Sequence, residues 1–204
     1  MKHLLACAAL LALAACSSTK NASEGDLDAQ GWVQPSALLL QQMEDEAQRL
    51  PWTKGLERLE QIRWFVTVGE PAYDLLLELS SDARPAVSSA AFAALGASGD
   101  RRLVESLREQ TFDTANATFE LRLERARTFV RLGDWSEMPL LIQGLSDERL
   151  FTRALCAEAL EQATGQSLGF SPRGSESERE LAVDAWKRWW LKYSGDPLRE
   201  EPRS

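Results

Sequence analysis

Three cysteines, a single histidine and a surplus of carboxylates are the side chains with which this chain could do chemistry. The histidine and two of the cysteines sit at the N-terminus. Met1-Lys2-His3 leads into an apolar run from Leu4 to Leu13, and Ala14-Ala15-Cys16 follows. A basic start, about ten apolar residues and small residues before a cut make a secretory signal. The run is too short to cross a bilayer, which takes about 20 apolar residues. Removing residues 1–15 takes away Cys7, Lys2 and His3, so the mature chain holds no histidine. That leaves no Ser-His-Asp or Cys-His arrangement and no usual zinc site. A phosphate-cradling glycine loop and a nucleophile elbow are also missing. Paired carboxylates of the glycosidase kind are always available among 31 acids, but no spacing organises them. The expectation is a protein that is not an enzyme and takes no cofactor and no metal.

Leu13-Ala14-Ala15-Cys16 resembles the lipobox of bacterial lipoproteins. Leu4-Leu5-Ala6-Cys7 has a similar look but almost no apolar run ahead of it, so Cys16 is the better match. The resemblance implies that the Cys16 sulfur receives a diacylglyceryl group, that cleavage follows before it, and that lipid holds the chain to a membrane. Cys156 is then the one remaining thiol, and no intrachain disulfide forms even in an oxidising compartment. Without Lys2 the chain carries 22 basic against 31 acidic residues, a net charge of −9. Such a balance speaks against nucleic acid and against an electrostatic grip on anionic lipid headgroups.

Four further groups invite a functional reading. Ala182, Ala185, Trp186, Trp189, Trp190 and Tyr193 fall at i, i+3, i+4, i+7, i+8 and i+11, a single helical stripe. It reads as a capping helix that seals an open end of the fold with large aromatic area. Adjacent indoles cannot both point inward, so Trp189 and Trp190 are candidate partner contacts. Cys156 lies in an apolar stripe with no histidine to activate it, and reads as an inert core thiol. The acids at Glu44-Asp45-Glu46 lack calcium-loop spacing and read as a solvated helix face. Glu176, Glu178 and Glu180 suit the positive end of a helix dipole.

These residues have to be positioned by helices, because no strand alternation runs along the chain. An apolar share of 44% and a charged share of 26% belong to a globular chain with a proper core. Ser17 to Gln34 reads as a flexible tether with a reach of roughly 20–25 Å, and 196–204 as a disordered tail. Between them, helices are expected from Pro35-Ser36 to Arg49, from a Thr53 cap to Val68, and from Pro71 to Ser80. Others are expected from Pro85 to a stop at Gly96, from an Asp100 cap to Gln110, and from Asp113 or Thr114 to Gly133. The last three run from a Ser136 cap over Pro139, from Asp147 to Thr164, and from a Ser177–Glu180 capping box to Gly195.

Two of these segments match without a gap: Asp82 to Leu95 and Asp147 to Leu160, starting 65 residues apart. Both carry an Asp, an Arg two residues on, a small residue at 91 or 156, and an Ala-Leu ending. Val87, Ala90, Ala91, Ala94 and Leu95 take the same stripe positions as Thr152, Leu155, Cys156, Ala159 and Leu160. That offset equals two units of about 32 residues, with Asp100 to Leu132 as one more degenerate helix pair between them, the pattern of a helical solenoid. The matched segments resemble HEAT repeats over about residues 55–165, with a poor middle copy. Thr164-Gly165, Gly169-Phe170-Ser171-Pro172 and Trp186-x-x-Trp189 resemble the end of bacterial HEAT-repeat lipoproteins of uncharacterised role. The implied fold is all-α, a short α-solenoid with a Trp-rich capping helix over 35–195. The resemblance implies an envelope location but brings no activity; a solenoid surface is expected to bind a protein partner, at the outer membrane facing the periplasm because Ser17 is not the avoidance residue Asp. A pilotin-like assembly factor and a small peptidoglycan- or lipid-acting enzyme are the competing readings.

Overall fold

The computed structural model describes residues 31–195. The signal segment, Cys16 and the tail from 196 lie outside the described residues, as does the tether up to residue 30. What is described is helical, and no described helix is long and apolar enough to cross a membrane. The helices are α1 (Ala37–Arg49), α2 (Gly55–Val68), α3 (Tyr73–Ser80), α4 (Pro85–Ser98), α5 (Leu103–Glu109), α6 (Phe119–Arg131), α7 (Met138–Gly144), α8 (Leu150–Thr164) and α9 (Glu176–Ser194). Short 3-10 turns at Glu70–Ala72 and Trp135–Glu137 lead into α3 and α7.

Several boundaries follow the expected signals. Ser36 caps α1 by accepting the Leu39 N–H, and Gly69 ends α2 at a positive φ of 72°. Others depart from the reading, each for a physical reason. Gly96 does not stop α4, which runs on to Ser98 with Gly99 as its left-handed cap. Gly96 is instead a close-approach residue: a Cβ there would lie 3.1 Å from the Thr128 Cα on α6. Residues 113–117 form a turn held by Asp113, and α6 starts only at Phe119 under a Thr118 cap. Lys54 rather than Thr53 precedes α2; the Thr53 hydroxyl is buried and donates to Gln61. Asp134 caps the turn before α7 by accepting the Ser136 N–H, so Ser136 is not the cap. The capping box of α9 is Ser175 with Glu178, two residues earlier than expected.

The aspartates of the matched segments act differently from simple caps. Asp82 accepts the Arg84 backbone N–H at 2.7 Å and its guanidinium at 2.6 and 2.9 Å. Asp147 accepts the same three bonds from Arg149, each at 2.9 Å. A third clip, Asp100 with Arg102, repeats the geometry ahead of α5. In each case the Arg is the residue that leads into the helix, and the Asp fixes its entry angle. Two of the guanidiniums also cross to the preceding part of the chain: Arg102 meets Glu70, and Arg149 meets Glu120.

Packing explains why α4 is so rich in alanine. It touches α2, α3 and α6, and small side chains let all three approach. Of the ten matched stripe positions, all but the half-buried Leu155 are buried. Helix α6 in turn packs on α7 and α8, and α7 packs on α9. Two apolar clusters result, and α6 serves both. Phe129 and Leu132 join the cluster of α1 to α5, while Leu123, Ala126 and Val130 join the cluster of α6 to α9. The first cluster reaches back to Trp32, which is 2% exposed and sits edge-on to Tyr73 at 5.2 Å. The core therefore includes a residue inside the span read as tether.

Candidate interaction surface

The chemistry-bearing residues of this fold come together at its C-terminal part. Helix α9 is set by its capping box: the Glu178 carboxylate accepts both the Ser175 N–H at 2.8 Å and its O–H at 2.7 Å. Those two donors hold the Glu178 carboxyl below its ordinary value. One face of α9 then buries Ala182, Val183 and Trp186 in the second cluster. Val183 replaces Tyr193 on the inward face; Tyr193 is 57% exposed.

Trp189 and Trp190 are both half-buried. Trp189 stacks on Tyr193 at 5.1 Å and 15°, and receives the edge of Trp186 at 5.5 Å. Trp135, from the turn before α7, lies 4.9 Å from Tyr193 and 6.3 Å from Trp189. It completes an aromatic cluster that a stripe on one helix does not reveal. The Trp190 indole N–H is enclosed without a hydrogen-bond partner. The Trp190 ring forms one wall of an apolar furrow of about 400 Å³ between α7 and α9, with Pro139, Ile142, Val183, Lys187 and Leu191.

A second apolar feature was not singled out from the sequence. Phe151, in the first turn of α8, is 73% exposed, and Leu150 beside it is also exposed. Together with Ala154 and the loop Ser171-Pro172-Arg173 they line a groove of about 560 Å³. Its two sides are held together by a buried guanidinium. Arg153 Nε donates to the Pro172 carbonyl at 3.0 Å, while Nη1 donates to the carbonyls of Asp147 and Glu148 at 2.8 and 2.7 Å. A buried charge holding three carbonyls fixes loop and helix in one relative position. The matching position in the first of the two matched segments is Ala86, so their shared pattern does not require a large apolar side chain at 151. The sequence signal was that departure, Leu-Phe where the other segment has Pro-Ala.

The remaining candidates are used internally. Cys156 is fully buried, and burial pushes its thiol up to about 12. Its sulfur fills the space that a side chain at Gly144 would need, since a Cβ there would lie 2.4 Å from Sγ. A polar cleft of about 400 Å³ between α6 and α7 contains Arg122, Arg125, Ser136 and Glu137. Arg125 is committed there, paired with Glu137 at 2.7 Å and stacked over Phe112 and Phe129. Among the described residues no cluster of three His, Cys, Asp or Glu side chains could hold a metal ion. No known protein family, no curated protein and no solved structure matches the chain.

Proposed function

We propose that this chain is an envelope lipoprotein, anchored through lipid on Cys16, whose helices stack as a short HEAT-like solenoid and present a binding surface to another envelope protein. On this reading α4, α6 and α8 are the successive inner helices, and α9 closes the end with Trp186. The order of contacts, α4 on α6 and α6 on α8, supports the stacking. So does the single helix α6 contributing to two clusters, as a unit inside a nearest-neighbour array must.

The observation that carries the binding role is the exposed Phe151 over a groove with fixed walls. An aromatic side chain left in water beside a preformed apolar groove is the usual anchor of a protein contact. Arg173 is exposed at its edge, so the fitting partner segment offers an apolar side chain next to a carboxylate. The furrow walled by Trp190 is the second contact on the same reading. No group of this surface is arranged for turnover, and the role assigned is binding rather than catalysis.

The anchor has its own test. Intact mass spectrometry of the purified chain should show a mass gain of acyl groups at residue 16, and a Cys16→Ser form should lack it and leave the membrane fraction. An unmodified Cys16, or a mutant that stays membrane-bound, removes the lipoprotein part. Crosslinking in the native envelope, followed by identification of the adduct, addresses the binding part. A chain that yields only self-adducts would contradict it.

A further inference from the structure

The turn between α1 and α2 exposes a second apolar site, remote in sequence from the groove at Phe151. Trp52 is 82% exposed and Leu56 79%, four residues apart across this turn, with Leu59 exposed one helical turn further on. The exposure is enforced rather than a loose end. Trp52 N–H donates to the Arg49 carbonyl at 3.0 Å, and the buried Thr53 hydroxyl donates to Gln61 at 2.6 Å. Arg58 reaches back to the carbonyls of Leu50 and Thr53. These bonds fix the turn and leave Trp52 and Leu56 outside it.

Most of the charge around them is used internally: Arg49 pairs with Glu46 and Glu57, and the Arg58 guanidinium is taken up by the two carbonyls. Lys54, between the two apolar residues, is exposed and makes no ion pair among the described residues. Tryptophan and leucine presented together with lysine match the polarity gradient of a bilayer interface, where indole sits at headgroup level and amines meet phosphate. A protein partner is the alternative for any apolar patch. Here the exposed Lys54 between the two apolar residues, and the length of chain leading to Cys16, favour a lipid surface.

We infer that the α1–α2 corner rests on the bilayer, with Trp52 and Leu56 in the interfacial layer and Lys54 against lipid phosphate. The inference rests on the proposed anchor at Cys16. The 15 peptide links between Cys16 and Gly31 span at most about 50 Å when extended. That exceeds the roughly 21 Å length of α2, which separates the chain's entry near Tyr73 from the corner. Anchor and corner can thus touch one membrane together, and the corner sets how the domain stands on it.

The test uses the full lipidated chain in vesicles of phosphatidylethanolamine and phosphatidylglycerol, with a nitroxide at Leu56→Cys or, as reference, at Leu181→Cys, an exposed position on α9. The buried Cys156 leaves these positions selectively labelled. The expected result is a label at 56 reached several-fold better by oxygen than by a water-soluble nickel complex, with the reverse at 181. Adding Trp52→Glu should return the label at 56 to water while the chain still sediments with the vesicles. A label at 56 that is aqueous in sedimenting protein overturns the corner contact and leaves the anchor standing. Failure to sediment overturns both. Dipolar broadening between labels at 56 means that a second copy covers the corner, and it also overturns the inference.

Discussion

Gly144 and Cys156 show how closely single residues are matched in this fold. With a Cβ at 144 lying 2.4 Å from Sγ and 3.1 Å from a Leu123 methyl, Gly144→Ala forces the α7–α8 contact apart. Overpacking of this kind costs about 1–3 kcal/mol. The expected outcome in urea denaturation is a loss of that size. A Cys156→Ala background should recover part of it, because the two changes meet at one atom. The neutral, enclosed thiol should resist alkylation near neutral pH in the native chain and react once urea unfolds it. The clips predict an acid dependence. Hydrogen bonds from Arg84 and Arg102 hold the Asp82 and Asp100 carboxyls below their ordinary 3.8. A carboxyl lowered by folding stabilises above its unfolded value, and that contribution is lost as pH falls through the folded one. Asp82→Asn and Asp100→Asn should each lower stability at neutral pH by about 0.5–1 kcal/mol, since the guanidinium of each pair is largely exposed. The gap to the parent should close on titration to well below pH 3.8; a constant gap would mean the clips act by shape alone. The sequence made the Asp and Arg pairs visible but not their bonding, because a cap and a clip begin with the same letters.

At the scale of elements, the seam between α4 and α6 is the most tightly specified contact. Gly96 brings the backbones together, and the Thr128 hydroxyl crosses to the Phe92 carbonyl at 2.8 Å. Gly96→Val should therefore destabilise by more than the helix propensity difference, which favours Val over Gly by only a few tenths of a kcal/mol. The sign of that outcome, read by thermal denaturation, separates close approach from helix termination, the role the sequence suggested for Gly96. Glycine near the end of an apolar stripe fits either role, and only the neighbour on α6 decides. Helix existence was legible throughout, since stripes, Pro at first turns and Gly at ends are local signals. The late start of α6 was not, because Asp113 and Thr118 both offer a capping oxygen. On α9 the stripe pointed to Trp186 correctly. It could not show that Val183 turns inward, or that Trp135 joins Trp189 and Tyr193 from another element.

For the molecule as a whole, the proposed binding role and stability belong to different surfaces. Trp186 is 1% exposed at the centre of the second cluster, and Trp186→Ala should cost about 3–5 kcal/mol, with membrane attachment through Cys16 intact. Phe151→Ala should leave the denaturation midpoint nearly unchanged, because the ring is mostly in water, and should weaken only partner binding. What was legible at this scale was the all-helical fold, and the burial shared by two matched segments 65 residues apart. The groove at Phe151 was not, because its walls are brought together by Arg153 from segments that share no motif. The most direct measurement of the central claim is photocrosslinking in intact cells, with a photoreactive phenylalanine at residue 151 and, for comparison, at the exposed Ala97 of α4. The account predicts a discrete protein adduct from residue 151 that is absent from residue 97 and competed away by overexpressed unmodified chain. No adduct, or the same adducts from both positions, would contradict it.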